Sequence, residues 1–456
     1  MTSAVDGLVS GLNTTQLISQ LMQVEQAPQD RLRSKVSTAQ TVVSSYLSVN
    51  NKVTALKTAA DALGTLSTWR SIKASSSSST VTATAVAGTD TAAGTTTFDV
   101  TALAKSQITT AKVDPTAAVT SGDSITITIG PADVTDPDTG VVTDNSAKRK
   151  DVTINLTDKT AAGVASAINA KGIGVKATVV TTGGAQNILQ FSGTATGTDN
   201  AFTIAGFDPP TTNVATAANA TLEIGGGEDN GGYNVTSSSN TFTGLLTGVT
   251  VTVSKLEDDV TVQAVQDVSG IADKFQALVD SANAALGEIS NQTSYDASSN
   301  SGSPLTGDFA VRNMSQTILS AISKGLTYPD PDDSTKTKTM SLSAMGIELD
   351  QTGGLTFNKE KFTKNYNADP ATFQTAGTKL GTDMSALAST QATSLTAVIT
   401  GRNSEIAGYN TQISDWDVRL SVKKEALQKQ FSDLEVSLGK LKDQQSWLSG
   451  QLAGLS

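Results

Sequence analysis

The sequence predicts a multidomain α+β protein: long terminal α-helices forming a coiled-coil or helical-bundle leg, a helical middle domain, and inserted β-rich outer domains. Three observations predict it. Toward the end of the chain Ile406, Ile413, Leu420, Leu427, Leu434, Leu441 and Leu448 recur every seven residues without exception. Near the start, Val42, Val49, Leu56 and Leu63 repeat the same spacing, with Tyr46, Val53 and Ala60 four residues beyond the first three. Between the two, apolar residues alternate with Thr, Ser and Asn at period two.

Residues seven apart on a helix stand nearly above one another, so the C-terminal row forms one apolar seam that drifts only slightly. A second row accompanies it, Tyr409 and Trp416 three residues after a seam position, then Phe431, Leu438 and Leu452 four after one. Such a stripe suits a bundle as well as a dimeric coil. A helix from Glu405 to Leu452 would be a rod of roughly 70 Å. Asp415 with Arg419 and Glu425 with Lys429 add acid-before-base pairs, each worth only a few tenths of a kcal/mol, so burial of the seam must hold the helix.

In chain order, Asn13 or Thr14 can cap a helix carrying Leu17, Ile18, Leu21, Met22 and Val24 on one side. Pro28 is expected to interrupt or restart it. Each terminal segment lacks a partner, so the simplest architecture returns the C-terminal helix along the N-terminal one and makes the intervening domains one long insertion. Two independent helices, each on a local core, are the alternative. The serine run Ser75 to Ser79 marks the expected change of period. Strands are expected at Phe98 to Ala102, Ile125 to Ile129, Val152 to Leu156, Val175 to Val179, Ile188 to Phe191, Phe202 to Ile204, Leu222 to Ile224, Val249 to Val253 and Val260 to Val265. One helix, Ala161 to Ala170, interrupts them and ends at Gly172 and Gly174. Asp208-Pro-Pro and the Gly225 to Gly232 cluster read as loops. Helical period returns with Ile271, Phe275, Leu278, Val279, Ala282, Leu286 and Ile289, and again with Val311, Met314, Ile318, Leu319 and Ile322. A loop from Tyr328 to Thr335 follows, then a hairpin joining Met345–Leu349 to Leu355–Phe357, then a helix from Leu387 to Ile399 that can run on into the rod. The predicted domains are 1-42 with 405-456, the leg; 43-75 with 269-404, a helical domain with a small hairpin; 76-112 with 230-268, an inner β domain; and 113-229, an outer β domain.

Composition narrows the function. The 456 residues include no Cys and no His, which removes disulfides, Cys- or His-based zinc sites and imidazole-dependent triads. A formal charge of -11, from 43 acids against 32 bases, argues against sequence-blind nucleic-acid binding. No apolar run approaches the roughly 20 residues of a membrane span, and Met1 to Gly11 has no basic region leading into an apolar one, so export would need a route other than a cleaved signal. Acidic stretches at Asp136-Pro-Asp-Thr-Gly, Glu228-Asp-Asn-Gly-Gly and Asp330-Pro-Asp-Asp lack EF-hand spacing and read as solvated turns. Two carboxylates would suffice for a glycosidase, yet aromatics are only 4% and Trp69, Trp416 and Trp447 sit in helical patterns. The glycine runs carry neither the phosphate-loop Lys nor a dinucleotide fingerprint. No cofactor or metal is expected.

Several stretches carry a resemblance. Gly7-Leu-Val-Ser-Gly-Leu-Asn-Thr-Thr-Gln-Leu-Ile-Ser-Gln-Leu-Met22, running on to Glu25-Gln-Ala-Pro28, resembles the N-terminus of the bacterial flagellar filament capping proteins, the hook-associated protein type 2 family. Thr97-Phe-Asp-Val-Thr-Ala-Leu-Ala-Lys-Ser-Gln107 and Ser239 to Val253 are similar to that family's β-domain segments. Ala165 to Ala177 is similar to a repeat of flagellin-like outer domains, and Pro304 to Asp308, Met345 to Asp350, Gly354 to Phe357 and Gln430 to Glu435 follow in order. Asn13 stands where the family often has Asp, and Asp136 to Lys150 looks like a local loop. The resemblance implies a non-enzymatic ring homo-oligomer at the tip of the growing filament, positioning flagellin exported through the flagellar secretion channel. It implies flagellin, hook-filament junction proteins and a cytoplasmic export chaperone as partners, with no nucleic acid and no membrane insertion. The residues expected to carry assembly are Leu17, Ile18, Leu21, Met22, Ile406, Ile413, Trp416, Leu420, Leu427, Phe431, Leu434, Leu438, Leu441 and Leu448. Other classes to weigh are a surface adhesin binding glycan or host protein through its β domains, and a glycan-cleaving enzyme.

Overall fold

A computed structural model describes residues 11, 13–86, 93–135, 141–228, 231–333, 335–351 and 353–453. Residues 1–10, which include Gly7 to Ser10 of the N-terminal motif, Leu12, the Asp136-Pro-Asp-Thr-Gly stretch and part of the Glu228 cluster lie outside them. The chain is multidomain α+β and divides into two units, one made of residues 1–66 and 271–456, the other of residues 67–270.

The first unit is built on two long helices, α1 (Thr14–Gly64, 51 residues) and a C-terminal helix (Pro370–Ala453, 84 residues). Asn13 caps α1, its side chain accepting from the Gln16 amide at 2.8 Å. Pro28 does not interrupt the helix as expected; α1 runs through it. An internal proline forfeits one backbone bond and crowds the preceding turn, at a cost of about 3 kcal/mol. Contacts on either side hold the segment helical: Glu25 pairs with Lys423 at 3.5 Å, and Gln29, almost fully buried, donates to Ile413 O at 3.1 Å and Asp417 at 2.5 Å. The two helices run antiparallel. As the α1 position advances through Glu25, Gln29, Lys35, Asp61 and Gly64, its partner retreats through Lys423, Asp417, Tyr409, Ser385 and Gly381.

A one-turn helix α2 (Leu66–Trp69) ends this first pass, and the helix α3 (Ala161–Lys171) belongs to the second unit. The chain returns to the first unit in α4 (Val268–Thr293), α5 (Phe309–Ser323), α6 (Lys359–Ala368) and the C-terminal helix, α7 (Pro370–Ala453). Proline at the first position of α7 gives up an amide that needs no partner there. The α1 row Val49, Val53, Leu56, Ala60 and Leu63 is completely buried, as are Phe275, Ala285, Ile318, Phe362 and Ala388. Phe275 and Phe362 pack with ring centroids 4.7 Å apart, and Phe373 meets Phe362 edge-on at 5.9 Å. The expected hairpin forms, Ile347 opposite Phe357 and Leu349 opposite Leu355, and the Asn283 amide brackets Leu355 by donating to its carbonyl at 2.7 Å and accepting from its N–H at 2.8 Å. The segment from Tyr328 is not all loop: Leu326–Pro329 pairs with Thr337–Met340, and Tyr328 is buried.

The second unit holds two buried clusters. The first lies between a five-stranded antiparallel sheet, in the order Ile72–Ser76, Glu257–Gln266, Gly94–Ala102, Ala220–Ile224 and Tyr233–Ser237, and a three-stranded one made of Thr241–Thr243, Val249–Val253 and Val81–Ala85. Alternation explains it: Phe98 and Val100, Val249, Val251 and Val253, and Val260, Val262 and Ala264 all point inward. The serine run falls partly inside the strand Ile72–Ser76, so strands begin earlier than the change in composition. The second cluster, formed within residues 111–207, joins the sheet Thr211–Ala215, Ile108–Val113, Asn187–Gly193, Val175–Val180 to the sheet Phe202–Ala205, Ser124–Ile129, Lys150–Asn155, with Val164 and Ile168 of α3 completely buried among them. Gly172 ends α3 in the left-handed conformation at φ 60°, which glycine adopts without the Cβ clash. Ile108–Val113 carries no apolar alternation in the sequence because its buried face is Thr109, Ala111 and Val113.

Candidate assembly surface

The seam of α7 can be followed against α1 position by position. At about 100° per residue a seven-residue step falls some 20° short of two turns, so on a straight helix the row rotates steadily around the axis. Leu420 is buried against Ile18 and Met22 of α1, with Trp416, Leu427 and Phe431 half-buried beside it. Ile406 and Ile413, earlier in the row, are half-buried. Two heptads past Leu420 the row has turned by about 40°, and Leu434 is 43% exposed, followed by Leu441 at 60% and Leu448 at 54%. Leu438 is half-buried.

The second cause is length. With Ile18 and Met22 at the level of Leu420 to Leu427, the first turn of α1 lies near Phe431. Residues 432–453 therefore extend past the described part of α1, about 33 Å of helix. Leu434, Val436, Leu441, Trp447, Leu448 and Leu452 are all exposed along it.

Of the apolar residues expected near the start of α1, Ile18 and Met22, four apart and on one line, are packed against α7. Leu17 and Leu21 lie on the flank, 39% and 42% exposed, and Val24 is exposed, so the expected single apolar side splits into a buried line and an open ridge. The structure thus brings together Ile18, Met22, Trp416, Leu420, Leu427 and Phe431, and leaves Leu17, Leu21, Leu434, Leu441 and Leu448 at the surface.

Polar groups fix the register; the sequence reading names Tyr409 and Tyr46 as members of apolar rows but gives neither them nor the others a polar role. Besides Gln29, Lys35 lies over the Tyr409 ring at 5.6 Å, Tyr409 donates to Glu405 at 2.7 Å, and Arg402 pairs with Glu405 at 2.9 Å. Higher up, Tyr46 donates to Asp308, whose other oxygen caps α5 by accepting from the Val311 amide at 3.1 Å. Burial and then the Asp308 carboxylate push the Tyr46 phenol up to about 12, against the opposing influence of Arg402. The only signal for Gln29 was its i+7 spacing from Met22. Lys429 pairs forward with Asp433 at 2.9 Å rather than back with Glu425, and Arg419 stacks over Trp416 at 5.6 Å.

Among the described residues no three Asp, Glu, His or Cys side chains are placed to hold a metal, and no helix is long and apolar enough to cross a membrane. Asp330 of the acidic turn pairs with Lys338 at 2.8 Å.

Two models of one family match the chain: the N-terminal part of flagellar hook-associated protein 2 over residues 10–107, and its C-terminal part over residues 217–443. Flagellar hook-associated protein 2 of Campylobacter jejuni is 28% identical over 164 residues, 35% of this chain and 24% of that protein. Lateral flagellar hook-associated protein 2 of Vibrio parahaemolyticus is 27% identical over 208 residues, 43% of this chain and 44% of that protein. The matched regions thus span about a quarter of one relative and under half of the other. The crystal structure of the D1-D2-D3 domains of the flagellar cap protein FliD from Escherichia coli has the same fold, with a TM-score of 0.59 at 22% identity over 79% of this chain and 99% of that one. With both ends matched by its models, and with α1 and α7 paired as the outer frame of the first unit, this chain belongs to the flagellar hook-associated protein 2 family.

Proposed function

We propose that the chain is a flagellar filament cap: copies of it form a ring at the distal end of the growing filament and position exported flagellin for polymerisation. Family membership supports this, and the observation that carries it is the α7 row that is buried at Leu420 and open from Leu434 to Leu448. A long helix that keeps a leucine seam beyond its own partner is built to be covered in an assembly. In this reading the paired ends of α1 and α7 form the leg, α4 to α6 with the upper hairpin form the helical middle domain, and the two β cores are the inner and outer domains. Secretion through the flagellar channel, and contacts with flagellin, hook-filament junction proteins and an export chaperone, belong to the same proposal. No observation favours the adhesin or glycan-cleaving readings.

Leu434→Asp tests it against Asp433→Ala. Leu434 is already 43% exposed in the single chain, so the monomer's melting temperature should not move. A carboxylate buried without a partner in an assembled leg costs several kcal/mol, so ring formation and filament growth should fail while flagellin leaks into the medium. Asp433, exposed and paired with Lys429 four residues before it, should be replaceable within about 0.5 kcal/mol. Normal filaments from Leu434→Asp, or equal damage from both, would remove the leg from the assembly surface.

A further inference from the structure

We propose that the two-stranded ribbon Val134–Thr135/Val142–Thr143 of one copy docks on the open edge strand Tyr233–Ser237 of the next, so that neighbours join head to tail through the second unit, a contact that rests on the ring reading above. A stapled apolar ribbon, an unguarded sheet edge and opposite charges beside the two point to it.

The ribbon is the first half of the contact. Val134 lies opposite Thr143 and Thr135 opposite Val142, and the pair joins neither of the larger sheets around the second cluster. Val134, Val141 and Val142 are 59%, 63% and 58% exposed. Two short strands without a core of their own are marginal in water, yet the base of this ribbon is firmly held. Asn145, almost fully buried, donates from its side chain to Ala132 O at 2.9 Å and from its backbone amide to Asp133 at 2.9 Å. Arg149 donates to Pro131 O at 2.9 Å and pairs with Asp133 at 2.6 Å. Gly130 approaches the returning chain so closely that an added Cβ would lie 2.8 Å from the Lys148 carbonyl oxygen. Within one copy the valines stay in water, so the staple presents them to something outside it.

The edge strand is the second half. Tyr233–Ser237 ends the five-stranded sheet and pairs on one side, with Ala220–Ile224. Val235 lies opposite the completely buried Leu222, and Tyr233, two residues away on the same face, is 56% exposed because the sheet stops there. Free edges invite pairing with other chains, and proteins blunt them with charge, proline or bulges. Four other edge strands here are guarded in that way: Ile72–Ser76 carries Lys73, Val175–Val180 carries Lys176, Lys150–Asn155 begins Lys-Asp, and Thr211–Ala215 follows Pro209 and Pro210 and bulges after Asn213. Val81–Ala85 lies against Ile72–Ser76. Tyr-Asn-Val-Thr-Ser carries none of these devices.

Charge selects the occupant. Lys148 and Lys150 are exposed just past the ribbon, whereas Glu223 and the exposed Glu228 precede the turn into Tyr233. Valines beside two cations fit a tyrosine beside two carboxylates. Val142 and Tyr233 are both exposed in the single copy, so they do not meet within it. The two patches are different surfaces, which makes the contact head to tail, the kind that closes into a ring; an edge paired with itself would stop at two copies.

The chain has no cysteine, so Val142→Cys and Tyr233→Cys, made separately in the full-length protein, can be mixed and treated with a short thiol cross-linker. The mixture should give linked dimers, and neither variant alone should. Lys148→Glu with Lys150→Glu should raise the concentration needed for half-assembly, read by light scattering, by roughly tenfold or more without moving the monomer's melting temperature. Adding Glu223→Lys with Glu228→Lys to that chain should restore assembly. Rings that form at the parent's concentration with the ribbon charges reversed, or rings in which the mixture does not cross-link, overturn this contact and leave the ring reading standing. Cross-links from Tyr233→Cys alone also overturn it, because the edge would then pair with its own kind. An unmodified chain that stays monomeric removes the ring reading and this contact with it.

Discussion

The upper and lower halves of one helical hairpin behave differently although the sequence writes both with the same seven-residue rule. Above Tyr46, Val49, Leu56 and Leu63 are completely buried, and the facing side of α7 buries Ala376, Leu380, Met384 and Ala388. Below Lys35, among the described residues, Thr14, Ile18, Met22, Gln29 and Leu420 are the nearly enclosed side chains, and the leucine row ends in the open. The spacing is equal, but the company is not. The upper half is enclosed by α4, α5 and the small hairpins, so a row that rotates out of the two-helix contact meets another element. Among the described residues the lower half has two helices, and the same rotation carries its leucines to the surface. A heptad therefore reports which face of a helix is apolar, while the number of helices around it decides whether that face is a core or an interface.

The largest expected effect breaks the comparison at matched leucines. Leu56→Ala removes a completely buried side chain and should destabilise the monomer by about 2 to 5 kcal/mol, whereas Leu441→Ala should change it by less than about 0.5 kcal/mol. Urea unfolding of both variants reads the contrast directly. Equal losses would mean that the lower row is covered within the single chain after all.

Next in size is the contact that closes the upper half. Gly381→Ala drives a methyl group into the α1 backbone at Gly64 and Ala60, which cannot retreat as a flexible side chain could. A loss of about 1 to 3 kcal/mol is expected. Gly401→Ala, with open space around it, should be neutral or stabilising by up to about 1 kcal/mol. If both were equally tolerated, the close approach of α1 and α7 at Gly64 would be wrong.

Much of this was legible in the residues. The seam, the return of the C-terminal helix along the N-terminal one, the period-two strands and the hairpin at Ile347 all follow from apolar spacing. Pro28 misled because its cost is local, while the contacts that offset it, through Glu25 and Gln29, come from residues nearly four hundred positions away. Leu17 and Leu21 misled because a helix with one partner buries a narrow line, and apolar flanks look alike in sequence. The strand Ile108–Val113 was hidden because threonine and alanine can fill a buried face when a neighbouring strand supplies the larger residues, here Leu189 and Phe191. Gln29 and the Tyr46–Asp308 bond were beyond reach because each needs the fold before its partner is near.

The smallest effect sharpens the comparison at the point where the two halves meet. Tyr46 is buried, bonded to Asp308, and its phenol is raised to about 12 from an ordinary value near 10. Tyr46→Phe keeps the ring but removes the donor, and at neutral pH should cost about 1 kcal/mol, the net worth of one hydrogen bond. The pH dependence gives the position away. A group whose folded value is raised binds its proton more tightly when folded, so its contribution is complete below about pH 10 and drains away as the pH climbs toward 12. Between pH 8 and 11.5 the parent should lose roughly 2 kcal/mol that the Phe variant does not have to lose. Tyr328 and Tyr366 are also raised by burial, so both proteins weaken in alkali and only the difference between them isolates Tyr46. That difference should shrink above pH 10 and then change sign. A gap that stays constant from pH 8 to 11.5 would show that the phenol is free to ionise in the folded chain, and that α5 is not fastened to α1 at the root of the lower hairpin.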